Sequence, residues 1–337
     1  MGYSSQAGQV ILRTQAVLGT YQSDTGTAGV GMKLRGGSLG PSRELMIPDP
    51  EIGGGRDVVD AYLGPTNYSG DYDFYGRVDA LTVLFKAALG NPTAPATTTG
   101  VTTVTINPAD TASLPYLSIE EKIGAGLECF RYTDAIVNNL HIECDANGYL
   151  MGTASIIAIT QLAGATATVS PVFDETPMFT GTGITITYNA VQLPAKNFSL
   201  DINNNFEDDD FRLGSFVIGD LTPKRREVTA SFGIRESSNA LWRQAVYGSS
   251  AATGPGGTTT KQQLVITMLT AEDIVGGTPA TKNTITITIP KFAFKPYSFG
   301  PNGDDVIESD IEGEALRPAF GTGLMTVVTK SAKSTAS

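Results

Sequence analysis

Histidine is almost missing from this chain. Its 337 residues include one, His141, together with two cysteines, Cys129 and Cys144, and one tryptophan, Trp242. A single histidine leaves little from which to build a hydrolytic triad or a histidine-rich zinc site. The two cysteines fall on neighbouring predicted strands. A disulfide there is geometrically possible, but two buried free thiols are the expected state. No basic start followed by an apolar stretch opens the chain, so no signal peptide is expected. The longest apolar runs are too short to cross a bilayer. Positive charge is also in short supply. With 23 Lys and Arg against 34 Asp and Glu, the net charge is -11. Phosphate binding depends on Lys and Arg, so this chain has no electrostatic means of gripping nucleic acid. It can still lie beside DNA without sticking to it.

What remains is turn-rich globular material, 41% apolar and 17% charged with 38 Gly and 18 Pro, long enough for two cores. Two-residue alternation dominates, which predicts half-buried strands. Ile285, Ile287 and Ile289 share one face, with threonines opposite. Ile184 and Ile186 do the same, as do Phe198, Leu200 and Ile202, and then Val228, Ala230, Phe232 and Ile234. Ile136, Leu140, Ile142 and Cys144 are expected to face inward, with His141 and Glu143 outward. Asp145-Ala-Asn-Gly148 reads as a hairpin turn into a long strand, Tyr149 to Ile159.

Two helices are predicted. Asp79 is the expected N-cap of the first, whose stripe is Leu81, Leu84, Phe85 and Ala88. Ser237 or Ser238 would cap the second, with Leu241, Trp242, Ala245 and Val246 as its stripe. Both stop at glycine, Gly90 and Gly248. From Asp79 to Ser237 is 158 positions, and from Gly90 to Gly248 is 158 again. Each helix follows a strand and runs into a low-complexity loop. A duplicated β domain is the expected cause. The boundary is placed in the small-residue stretch Ala163 to Ser170. This gives an N-terminal arm (residues 1–40) partly ordered on assembly, a first domain (41–165) and a second (166–337).

Chemical motifs mostly fail. Gly36-Gly37-Ser38-Leu39-Gly40 has the letters of a nucleophile elbow, but Pro41 and Ser42 follow where a helix is needed. Asp201-Ile-Asn203-Asn-Asn205 begins like a calcium loop, yet Phe206 and Arg212 occupy its Gly and Glu positions. No cofactor or metal is implied. Two acidic clusters stand out. One is Glu207, Asp208, Asp209 and Asp210; the other is Asp304, Asp305, Glu308, Asp310, Glu312 and Glu314. They could be solvated loops or edge charges that discourage wrong pairing. They could equally form a functional acidic surface.

Several segments together resemble the tail tube proteins of long-tailed bacteriophages. They include Ser38-Leu-Gly-Pro-Ser-Arg43, the helix ending Ala87-Ala88-Leu89-Gly90 and Leu114 to Lys122. The stretch Phe130-Arg-Tyr-Thr-Asp134-Ala-Ile-Val-Asn-Asn-Leu140 is similar to a family stretch in which Gly stands where Asp134 is. Asn197 to Asn204 followed by Arg226 to Ile234 resembles the family's paired strands before its second helix. The resemblance covers roughly residues 36–330. It implies a mainly β fold, here two tandem sandwich or barrel domains of tail-tube type, each with one flanking helix. It also implies a non-enzymatic virion tail protein, assembled in the host cytoplasm, that polymerises into stacked rings around a lumen for DNA. Single-domain relatives form hexamers, so a duplicated chain is expected to form a pseudo-hexameric trimer. Its partners would be itself and the tape-measure, tail-terminator and tail-tip proteins. The acidic clusters would line the lumen or lie between rings, opposite Lys224, Arg225 and Arg226. The competing expectation is a carbohydrate-binding surface module, with Tyr68, Tyr72 and Tyr75 as an aromatic platform.

Overall fold

Alternating sequence becomes strand almost wherever it occurs. The computed structural model describes every residue except 1–4, 24–28, 54–56, 59, 91, 110–113, 125–127, 170, 237, 299, 301–305, 320–322 and 333–337. Among the described residues the first half holds β1 (Gln9–Thr14), β2 (Val30–Met32), β3 (Leu34–Met46), β4 (Tyr62–Tyr75), α1 (Val78–Leu89), β5 (Ala96–Thr98), β6 (Val101–Ile106), β7 (Leu117–Lys122), β8 (Cys129–Asp145), β9 (Met151–Ala158) and β10 (Thr160–Leu162). The second half holds β11 (Ile184–Tyr188), β12 (Val191–Gln192), β13 (Ala195–Asn203), β14 (Glu227–Arg235), α2 (Ala240–Tyr247), β15 (Gln262–Asp273), β16 (Lys282–Phe294), β17 (Glu308–Ala315) and β18 (Thr326–Ser331).

One run of antiparallel pairs crosses the whole chain in the order β3–β4–β9–β8–β13–β14–β17, with the end of β16 beside β17. The two halves are wired alike. A hairpin (β3–β4 or β13–β14) leads into a helix. A long strand (β8 or β16) then gives its second part to the strand after it, and that strand returns to the hairpin. The first parts of β8 and β16 pair elsewhere. The first part of β8 joins β7 and β10, with β1 and β2 beyond β7. That of β16 joins β15 and β18. The halves also interlock, because β18 pairs with β6 as well as with β16. The main hydrophobic core draws side chains from both, among them Phe85, Tyr132, Leu200, Phe232, Ile287 and Val327.

The helices differ from expectation. All twelve residues of α1 are buried, Asp79 and Lys86 included. It is packed between strands of both halves rather than flanking a sheet with one stripe. Asp79 does not cap it. Arg77 is the N-cap residue and makes no side-chain cap bond. The helix N-terminus is served instead by Asp174, whose Oδ2 accepts the Ala80 N–H at 2.8 Å. In α2 only Ala245 is fully buried, and Asn239 holds the cap position. Ser238, one of the two expected caps, therefore stands one residue before the observed one, and Ser237 lies outside the described residues.

Two further expectations are corrected. Ile136 does not share a face with Leu140. The β8–β9 register shifts between Val137 and Asn139. This bulge reverses the parity, so Val137 joins the main core while Ile136 packs with Ile157, Phe206, Ile218 and Leu221. The supposed arm is also built into the molecule. Residues 9–14 pair with β7, and β3 runs across position 40 against β4. Asp134 explains how this part is fastened. It sits in the left-handed region at φ 55°, the conformation that suits the family's glycine. Its Oδ1 accepts from Gln15 Nε2 at 2.5 Å and from the Gly19 N–H at 2.8 Å. The departure from the family pattern is thus matched by bonds that only a short acceptor side chain can make.

Candidate functional surface

Alternation along the long run of strands leaves one face without a core against it. On β17, Glu308, Asp310 and Glu312 are exposed and alternate with buried Ser309, Ile311 and Gly313. The neighbouring positions on that face are Thr229, Ser231 and Arg235 on β14, then Ser199 and Asp201 on β13. His141 and Glu143 follow on β8, Thr153 and Ser155 on β9, and Asp71 and Asp73 on β4. The face is therefore acidic and hydroxyl-rich, with few cations. Lys295 reaches Glu312 at 2.6 Å and Glu314 at 3.4 Å, and Lys196 pairs with Glu308. Hydroxyls tie the strands laterally: Thr153 Oγ1 donates to Asp73 at 2.6 Å, and Ser199 and Ser231 share a bond of 2.7 Å. A surface of this chemistry stays hydrated and repels polyanions.

The two acidic clusters separate in space. Glu308, Asp310, Glu312 and Glu314 belong to the open face, whereas Asp304 and Asp305 lie outside the described residues. Glu207 to Asp210 sit on the β13–β14 connection, beyond the end of the sheet. There Glu207 is 3.8 Å from Lys224 and Asp210 is 2.5 Å from Arg212, both within the chain. Arg226 Nε donates to Asn204 Oδ1 at 2.9 Å, and the Arg225 carbonyl accepts from Asn205 Nδ2 at 2.9 Å. The expected opposition of the first cluster to Lys224 thus has an intrachain form. Asp71 and Asp73 were not singled out by sequence reading, and Glu143 and Asp201 were named there without being joined to this face; their alternation with buried residues is the signal that finds them.

His141 marks the seam between the halves. Its Nδ1 is 2.7 Å from Asp201 Oδ1 across the β8–β13 pair, and its Nε2 is 3.5 Å from Glu143. The hydrogen bond to Asp201 is the main cause that raises the imidazole above its ordinary pKa, against an opposing effect of burial. A pKa raised by folding means stability that is fully present below about 6.5 and lost as pH rises through the folded value. His141→Asn should therefore cost up to about 1 kcal/mol at pH 5.5 and less at pH 8.5. Thermal denaturation of both proteins at the two pH values checks this; a cost that does not shrink at pH 8.5 would show that His141 acts without its charge.

The other candidates are placed differently. Ser38 lies within β3, paired to Asp71, so Gly36 to Gly40 is extended strand and not an elbow. Asp201 to Asn203 are the end of β13. Tyr72 is fully buried and donates to Glu121 at 3.0 Å, which removes it from any platform with Tyr68 and Tyr75. Trp242 Nε1 donates to the Tyr297 carbonyl at 3.1 Å. Cys129 and Cys144 are buried and free, and burial pushes the Cys144 thiol up to about 11.

Residues 5–315 match the family model for phage tail tube proteins. The chain belongs to that family. A comparison with curated protein sequences found no match. The tail tube family is a structural one, which gives the acidic face a virion tail as its setting. Among the described residues no helix is long and apolar enough to cross a membrane, and no group of His, Cys, Asp and Glu is arranged to hold a metal ion.

Proposed function

We propose that this tail tube protein polymerises into stacked rings of three chains, with the acidic face lining a lumen through which phage DNA passes. The β8–β13 seam carries the proposal. It joins two similarly wired four-strand units, β3–β4–β9–β8 and β13–β14–β17–β16, into one sheet. The same seam can be made between chains. β3 has one partner only, β4, and so has an open edge among the described residues. Beyond Phe294, the Lys295 N–H still donates to the Glu312 carbonyl at 2.7 Å, so the line of β16 continues beside β17. A short antiparallel pair between β3 of one chain and residues 295–298 of the next would follow the β8–β13 arrangement in part, with Pro296 offering only its carbonyl. Two duplicated units per chain then give six per ring from three chains, the number found in rings of single-domain relatives. Each unit is read as one copy of the 41–165 and 166–337 duplication. Tape-measure, terminator and tip proteins would meet the tube inside and at its ends.

Electron microscopy of the purified full-length protein, concentrated and left to stand, tests this. Hollow tubes with threefold end views, and β3 beside residues 295–298 of a neighbour at strand resolution, are expected. A monodisperse monomer that forms no tubes even when seeded with tail tips would overturn it.

A further inference from the structure

Both hairpins of the long sheet point their connections to the same end. The β13–β14 connection leaves Asn203, opposite Asn139, while Asn197, near the start of β13, lies opposite Asp145 at the other end. The connection is itself folded. Phe206 bridges to Pro223 and Phe211 to Ile218, and Ile218 and Leu221 are buried. Its tip turns at Gly214, φ 85°, with the Ser215 N–H on the Arg212 carbonyl at 3.1 Å. There Leu213 is wholly exposed, at 107% of its reference area, and Phe216 is 72% exposed. Leu213 and Phe216 together leave the tip of the connection apolar and open to water.

The opposite end of the sheet holds a cleft. Ile186, Leu193, Phe198 and Cys144 are buried around it, Ile184 is half-buried, and Lys196 stands exposed among its lining residues. Asp208 and Asp209 are exposed on the connection, beyond the two intrachain ion pairs. Lys33, Arg35, Lys196 and Arg235 lie toward the cleft end, where β3 and β13 begin and β14 finishes; Lys33 and Lys196 pair there with Glu175 and Glu308, Asp145 lines the cleft, and Arg35 and Arg235 add further positive charge.

We propose that Leu213 of one chain enters the cleft around Leu193 and Phe198 of a copy in the adjacent ring, with Asp208 and Asp209 brought toward Lys196. This rests on the stacked-ring reading. It specifies the occupant of the cleft and the polarity of stacking: the two ends differ, so the contact is head-to-tail and does not close.

Leu213→Asp in the full chain should raise the concentration needed for tube growth roughly tenfold or more. Its melting temperature should match that of the wild type, because the side chain is exposed in the single chain. A second variant, Leu213→Cys with Gln192→Cys, should give a ladder of disulfide-linked chains from oxidised tubes and none from dilute protein. Unchanged growth of Leu213→Asp tubes, or tubes of the double-cysteine variant without a ladder, would overturn the contact while leaving the ring reading standing. Wild-type protein that never forms tubes would remove the ring reading, and the contact with it.

Discussion

Asp174→Ala is expected to destabilise the protein by about 3 kcal/mol at neutral pH. The side chain is 1% exposed and makes three bonds. Oδ2 accepts the Ala80 N–H in the first turn of α1 at 2.8 Å, while Oδ1 accepts from the Thr176 N–H at 2.9 Å and from Thr176 Oγ1 at 2.5 Å. The first N–H groups of a helix have no partner within it, and a carboxylate there also meets the positive end of the helix dipole. An exposed cap is worth about 1 kcal/mol. This one costs more to remove because α1 is buried along its whole length, so water cannot replace the acceptor. Asp174→Asn keeps an acceptor for Ala80 and should lose less than half as much. Chemical denaturation of the three proteins is the check. An alanine variant within 1 kcal/mol of wild type would mean that the helix start finds another partner.

Glu120→Ala should cost more, about 3–5 kcal/mol. Glu120 is fully buried and gathers two guanidinium groups, Arg13 at 3.8 Å and Arg131 at 3.5 Å. Its oxygens also accept from Tyr21 Oη at 3.1 Å, from the Thr168 N–H at 2.7 Å and from Thr168 Oγ1 at 3.1 Å. Removing the carboxylate leaves cationic neighbours in a site built for an anion, and it frees the segment around Thr168. That segment is otherwise tied by Gln9 Nε2 to the Thr168 carbonyl and by Arg131 to the Thr166 carbonyl. The variant should therefore unfold at lower denaturant and be cut by protease near residues 163–169, where the wild type resists. Equal protease resistance would show that Glu120 does not hold this segment.

The strands were legible because their signal is local. Ile285, Ile287 and Ile289 state their face within five residues, and the structure buries all three. The acidic residues of β17 were already separate from Glu207 to Asp210 in the sequence, but that the first lie on the open face and the second beyond its end needed the sheet. The misreadings share a cause, which is that a distant segment decides the local outcome. Asp79 looked like a cap because it precedes an apolar stripe, yet the acceptor comes from Asp174. Ile136 was assigned by counting in twos, which fails across a bulge that the partner strand β9 reveals. Residues 1–40 looked weakly patterned because β1 draws its stability from β7, more than a hundred positions away. The seam at His141 was half visible: its outward direction was readable, but its partner Asp201 was not. The cleft at the start of β13 had no sequence signal, since its lining comes from β8, β11, β12 and β13 together.

The pairing of β18 with β6 sets an order of events. Val327 lies opposite Ile106, so β6 waits for a strand made more than two hundred residues later. Contacts of such long range form slowly, because the intervening chain must be brought together first. Until residues 326–331 arrive, β6 and β16 each keep an edge open to any strand nearby. A nascent chain on the ribosome is thus unfinished in its first half as well as its last. A frameshift or early stop before Thr326 would produce sticky fragments rather than a smaller working subunit. Synthesis of β18 is what closes both edges.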